Sequence, residues 1–184
     1  MPAQSSAPAA PSGRSSPGAG RKDRHSIVQI REWPTTAVVE LLVESEEEGF
    51  RFVRRAQEEW RSGANRFAEE GEAFFGVFEE TRLLAIGGIN REAGRCGRLR
   101  RFYVRRDERG KGIGRQLAEH VLEFARHHYS QVALRCDTDA ADRFYRALGF
   151  SRTAADAGVT HVLELQKWPA PSPPPTPSGG GAHR

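Results

Sequence analysis

The sequence predicts an α/β domain with one sheet of six to seven strands and about four helices. Two observations carry this reading. Between residues 25 and 168, apolar stretches of strand length and stretches of helical period follow one another in the order β-α-α-β-β-β-α-β-α-β. On either side, residues 1–24 and 169–184 are dominated by Ser, Pro, Ala and Gly. Such segments carry too little apolar surface to offset their ordering entropy and are expected to be disordered tails around a single folded domain at 25–168.

The elements read in order as follows. Ile27–Trp33 alternates as a first strand, with Ile27, Gln29 and Arg31 on one face and Val28, Ile30 and Glu32 on the other. Pro34-Thr35-Thr36 starts a helix that carries Val38, Val39, Leu41, Leu42 and Val43 into the acidic run Glu44–Glu48 and breaks at Gly49. A second helix covers about 50–62, with Val53, Ala56 and Trp60 at helical spacing. Ser62-Gly63-Ala64-Asn65 is a turn. Ala73–Phe78 and Leu83–Asn90 are strands joined by a hairpin loop at Glu79–Arg82, and Leu99–Val104 is a fourth strand. Ile113–His128 has the clearest helical stripe, formed by Ile113, Leu117, Val121, Phe124 and Ala125. Gln131–Asp137 is a fifth strand, Ala140–Leu148 a short helix stopped by Gly149, and Thr160–Lys167 a last strand. A further short strand fits near Phe150–Thr153.

Composition excludes several classes. The 184 residues carry a net charge of +4, and the only lysines are Lys22, Lys111 and Lys167. Arginine suits phosphate oxygens, although compositional bias is the plainer reading for most of these side chains. Cys96 and Cys136 form neither a disulfide framework nor a zinc set. No apolar run approaches the roughly 18–20 residues of a membrane span. The first residues lack the apolar core of a secretory signal, so a cytoplasmic protein without membrane attachment is expected.

The sharpest motif is Arg109-Gly110-Lys111-Gly112-Ile113-Gly114, between a strand and the strongest helix. Glycines let a backbone approach a ligand closely, and the free N–H groups and dipole at a helix start attract anions. Arg109, Lys111 and Arg115 add charge beside it. A phosphate or pyrophosphate site is predicted; a ligand-free glycine turn is the alternative. The Walker A spacing is absent, and the Rossmann spacing fails at Arg115 and again at Leu117.

The segment RRFYVRRDERGKGIGRQLAEHVL resembles motif A of the GNAT acetyltransferases, with Arg109, Gly112 and Gly114 at the family's pyrophosphate-binding positions. Residues 138–150, TDAADRFYRALGF, resemble a second family segment through Ala141, Phe144, Tyr145, Gly149 and Phe150. The resemblance extends over about residues 26–168. It implies a twisted, mixed, mostly antiparallel sheet whose fourth and fifth strands splay around the pantetheine of acetyl-CoA. It implies that Arg109, Gly110, Lys111, Gly112, Ile113, Gly114 and Arg115 hold the cofactor's phosphates. Phe102, Tyr103 and Val104 would bind pantetheine through their backbone, an N–H near Val104 would face the thioester oxygen, and Tyr145 would protonate the leaving thiolate. Core packing beside Phe144 is the alternative for Tyr145. The reaction implied is direct transfer of an acetyl group to a primary amine in a ternary complex, without a metal. The acceptor is a small-molecule amine or a protein amine, and family members are often dimers.

Two positions depart from the family pattern. Thr138 stands where the family has Asn, so its hydroxyl reaches less far toward pantetheine. Several family members place a glutamate base on the fourth strand; the corresponding stretch here reads Gly97-Arg98-Leu99-Arg100 and offers no carboxylate, which leaves the base unassigned. A non-catalytic acyl-CoA sensor of the same fold is therefore the second reading. The nine basic residues from Arg95 to Arg115 invite a nucleic-acid reading, but the phosphates of acetyl-CoA account for several of them and no nucleic-acid partner is expected. His120, His127 and His128 read as a solvated helix end rather than metal ligands. Glu44–Glu48 reads as a solvated helix end or as a lure for a cationic amine.

Overall fold

The computed structural model describes residues 25–154 and 158–167, so the predicted tails lie outside the described residues. Seven strands form one sheet: β1 Ser26–Gln29, β2 Ala73–Glu79, β3 Arg82–Arg91, β4 Cys96–Val104, β5 Gln131–Leu134, β6 Ser151–Arg152 and β7 His161–Glu164. Their spatial order is β1-β2-β3-β4-β5-β7-β6. Every neighbouring pair is antiparallel except β4 with β5. Four helices accompany the sheet: α1 Val38–Glu47, α2 Phe52–Ser62, α3 Ile113–Arg126 and α4 Asp139–Ala147.

The near-continuous apolar runs of β2 and β3 follow from burial on both faces. Phe74 packs into one core with Leu41, Val53 and Trp60 of α1 and α2, whereas its neighbour Phe75 packs into the other with Leu117 and Val121 of α3. Helix α3 buries Ile113, Leu117, Val121 and Leu122 at 1 % exposure or less. At about 1.5–3 kcal/mol for each large aliphatic side chain, that face contributes roughly 6–12 kcal/mol before ordering costs. Tyr129, just beyond α3, donates its hydroxyl to the Gly71 carbonyl at 2.8 Å and fixes the entry to β2.

Several predicted boundaries are corrected. The first strand ends at Gln29 rather than Trp33. Ile30 still donates its N–H to the Phe74 carbonyl, but Trp33 leaves the strand path, stacking on Phe74 and lying tilted against Trp60. Residues 35–37 form a turn, so α1 starts at Val38. Glu79 pairs with Arg82, which shortens the hairpin to Glu80-Thr81, with Glu80 in the left-handed region at φ 54°. Strand β4 starts three residues earlier than expected, at Cys96, because its first residues pair with both β3 and β5. Strand β5 stops at Leu134, and the last strand gives way after Glu164 to a 3-10 turn. In α3, Ala118 and Leu122 join the buried stripe, while Phe124 is only half-buried.

Candidate active site

The parallel pairing of β4 with β5 lasts three residue pairs, from Cys96–Gln131 to Arg98–Ala133. Beyond it the strands part. β5 turns its other edge to β7, and Leu99–Val104 has β3 on one side and an open edge on the other. The backbone groups of alternate residues along that edge point into the gap without a ladder partner.

A β-bulge adjusts this edge. The register between β3 and β4 shifts between Ile86 and Gly88, so Arg101 and Phe102 together face Gly87. Arg101 takes φ 58°, a sparsely populated conformation for a side-chain-bearing residue. Its guanidinium reaches both carboxylate oxygens of Glu59 on α2, at 2.6 and 2.7 Å. Gly87 is required because an added Cβ would lie 2.6 Å from the Phe102 ring.

Phe102 points toward α4. Its ring lies 5.8 Å from Phe144 and 6.2 Å from Tyr145, and Tyr145 lies 5.6 Å from Phe150. Tyr145 is 8 % exposed, and its hydroxyl has no hydrogen-bond partner among the described residues. Burial first, and Cys136 second, push its phenol above the usual tyrosine range, so it stays protonated at neutral pH. Gly114 lets the start of α3 close onto this cluster, since a Cβ there would lie 3.2 Å from Val104 and 3.5 Å from Phe144. Arg115 ties α3 to α4 through the Ala147 carbonyl at 3.4 Å. The two motif blocks therefore meet in space.

Gly110 and Gly112 adopt φ 77° and 91°. An added Cβ at either would meet nothing within 4 Å, so the loop faces open space. The N–H groups at the start of α3, from Gly112 to Arg115, have no carbonyl four residues back within the helix. Neither the loop nor neighbouring elements supply backbone acceptors for them among the described residues.

The charged residues of the motif are arranged differently from a free cationic cradle. Arg109 donates from both terminal nitrogens to Glu48 of the α1–α2 loop, at 2.7 and 2.6 Å, and from Nε to the Val104 carbonyl at 3.0 Å. Its guanidinium also lies 5.4 Å over the Tyr103 ring. Lys111 pairs with Glu108 at 3.2 Å. Tyr103 faces α1 rather than α4. Its hydroxyl donates between Glu44 (3.0 Å) and Glu48 (2.7 Å), and Glu44 also accepts the Arg106 N–H at 2.6 Å. Arg109 first, and Tyr103 after it, hold the Glu48 carboxyl down to about 2. The acidic run is thus neither a simple solvated helix end nor an open lure for amines. Glu46 binds Arg54, and Glu44 and Glu48 bind the chain's own donors. Thr138 is the N-cap of α4, accepting the Ala141 N–H at 3.2 Å, so its oxygen serves the helix.

One constellation has no local signal in the sequence. His161 of β7 and Asp142 of α4 are buried, and His161 Nε2 lies 2.9 Å from the Asp142 carboxylate. Arg152 also donates to that carboxylate at 2.5 Å and is the main reason it sits below the usual aspartate range. The other ring nitrogen, Nδ1, lies 3.5 Å from Cys136 Sγ. Nineteen residues separate Asp142 from His161 and twenty-five separate His161 from Cys136, so only the fold brings them together. Cys96 and Cys136 are both free. No group of three or more metal-ligating side chains occurs among the described residues, and no described helix is long and apolar enough to cross a membrane.

An open strand edge, a glycine-opened helix start and a buried phenol lie together on one mixed sheet. Known proteins with this fold define its class. A profile of the Acetyltransferase (GNAT) family matches residues 31–150. A solved structure from Exiguobacterium sp. 255-15, named provisionally as an acetyltransferase, is 32 % identical, with a TM-score of 0.70 over 77 % of this chain and 94 % of that one. A GNAT-family acetyltransferase from Staphylococcus aureus Mu50 shares the fold at 15 % identity, with a TM-score of 0.65 over 77 % of this chain and 99 % of that one. Among curated proteins, the N-alpha-acetyltransferase RimI of Mycobacterium tuberculosis (strain ATCC 25618 / H37Rv) is 46 % identical over 43 residues, which span 23 % of this chain and 27 % of that protein. The chain belongs to the acetyltransferase (GNAT) family, which transfers acyl groups from acetyl-CoA.

Proposed function

We propose that the protein transfers an acetyl group from acetyl-CoA directly to a primary amine, with both bound at once. The observation that carries this reading is the open edge of Leu99–Val104, with the buried Tyr145 phenol on one side and the unpaired N–H groups of α3 at its end. In this reading the pyrophosphate lies on Gly110–Arg115, where the helix start and Lys111 favour negative charge. Pantetheine runs along Phe102–Val104 and pairs with the edge backbone groups that β3 does not reach. A backbone N–H of that edge stabilises the thioester oxyanion.

Amine attack forms a C–N bond and expels a thiolate. Tyr145, whose hydroxyl no described residue occupies, gives that thiolate its proton. Glu48 is a poor general base, because Arg109 holds its carboxyl down to about 2. The strand edge itself presents no carboxylate, so the acceptor amine is one that arrives neutral or loses its proton to water. Small amines and protein amines both fit this chemistry. The absent strand carboxylate is the one observation that favours an acyl-CoA sensor instead.

Thermal-shift titration with acetyl-CoA, CoA and ATP tests the ligand. A saturable rise in Tm with acetyl-CoA and CoA, but not with ATP, is expected, since a native-state ligand stabilises by RT ln(1 + [L]/Kd). Thiol release across an amine panel then separates enzyme from sensor. No shift at millimolar acetyl-CoA would remove the reading.

A further inference from the structure

The geometry points to Cys136 as a second acyl acceptor within the chain, taking the acetyl group from a bound thioester with His161 as base and Asp142 as the residue that orients it. In its acetyl-CoA form the inference rests on the function proposed above. Three observations support it. First, the residues form a chain of contacts, with Sγ 3.5 Å from Nδ1 and Nε2 2.9 Å from the Asp142 carboxylate. Because that carboxylate accepts at Nε2, the ring keeps its proton there and presents a lone pair at Nδ1, toward the thiol. Second, His161 and Asp142 are 2 % and 8 % exposed, whereas Cys136 is half-buried and reachable. Third, Cys136 follows the end of β5, where the strand has already parted from β4, and packs against the cluster that holds Tyr145.

Thr160 is the competing partner, since its hydroxyl also lies 2.9 Å from Nδ1. That hydroxyl can instead donate to the Leu134 carbonyl at 3.5 Å, and its oxygen accepts the Cys136 N–H at 3.0 Å. The thiol is thus positioned by the same residue that can vacate Nδ1. Burial pushes the Cys136 thiol up, so it rests neutral and needs a base at the moment of attack.

The step balances without a redox partner. The Cys136 proton passes to His161 Nδ1 as Sγ bonds to the thioester carbon. The carbon–sulfur bond to the donor then breaks, and the donor thiolate takes the proton. One thioester replaces another, so the exchange is close to isoergic and excess donor thiol reverses it. The second product is an acetylated Cys136 that forms when no amine occupies the acceptor site.

The test uses the full chain with two probes, acetyl-CoA and the small thioester S-acetyl-N-acetylcysteamine, which needs no phosphate site. Intact mass and peptide mapping after acid quench should show one acetyl group on Cys136, removable by hydroxylamine and reversed by excess free thiol. Cys96→Ala should label like the parent, Cys136→Ala should not label, and His161→Gln should slow labelling at least about tenfold, given the usual size of general-base effects. Asp142→Asn keeps the side-chain shape and should slow it too, which guards against a His161→Gln variant that fails to fold. Labelling by neither probe, or labelling indifferent to both substitutions, overturns the inference. A Tm shift with acetyl-CoA but no label sinks the Cys136 role and leaves the proposed function standing. Labelling by the small thioester without any Tm shift does the reverse.

Discussion

Replacing Glu48 with Gln should tighten CoA binding. Arg109 is engaged by Glu48 through two hydrogen bonds, at 2.7 and 2.6 Å. A phosphate approaching Arg109 must compete with that carboxylate. The lowering of Glu48 from 4.5 to about 2 is a net of about 3 kcal/mol in favour of its ionised form, after desolvation has opposed it. Tyr103 and Arg106 share in that total, and Arg109 is 42 % exposed, so solvent screening leaves the pair about 1 kcal/mol. Relief of that competition corresponds to about a fivefold lower Kd for CoA. Gln keeps an acceptor for the Tyr103 hydroxyl, and Arg109 keeps its bond to the Val104 carbonyl. Isothermal titration calorimetry of both proteins with CoA at about 0.15 M salt reads the difference, which should shrink at higher ionic strength. A Kd unchanged within about twofold, or a weaker one, would show that Glu48 holds Arg109 ready for the ligand and would refute the argument.

The same carboxylate predicts an acid limb in stability. Its folded pKa lies below its unfolded one, so its contribution is complete above about pH 4.5 and is lost as pH falls toward about 2; Glu48→Gln should flatten that limb in urea melts at pH 7 and pH 3. Tyr145→Phe should lower kcat about a hundredfold while CoA affinity holds. Since the hydroxyl has no partner among the described residues, its Tm should not fall; equal turnover would remove Tyr145 as the acid. Gly112→Ala places a Cβ at φ 91°, so calorimetry should show a loss of about 1–2 kcal/mol together with weaker CoA binding. Leu117→Ala empties a fully buried site in the middle of α3 and should cost about 3–5 kcal/mol, read as a fall in Tm of about 10 °C.

The parts of this fold that could be read from the sequence are those set by local chemistry. The α3 stripe shows in the spacing of Ile113, Leu117 and Val121, and the helix start shows in Gly110 and Gly112, which are needed for their backbone angles. Tyr145 was legible only with Phe144 and Gly149 around it. Long-range events were not legible. Gly97 and Arg98 look like loop residues until β3 and β5 pair with them on both sides. Nothing in Arg100-Arg101-Phe102 announces a bulge, because the register is set by the collision that Gly87 avoids. Arg109 reads as a free phosphate ligand because Glu48 is sixty-one residues away. The contacts of Cys136 with His161, and of His161 with Asp142, depend on β7 returning beside β5.

The short β4–β5 seam gives the sheet a mechanical character. β1 to β4 form one leaf and β5, β7 and β6 a second, joined within the sheet by only three rungs. Arg98 acts as a clasp at the fork, reaching past β5 to the Gly158 carbonyl. A molecule lying in the gap would touch both leaves and act as a removable eighth strand. Its arrival should therefore be felt most in the amides of β5 and β7, which would exchange with solvent more slowly as the second leaf is stitched to the first.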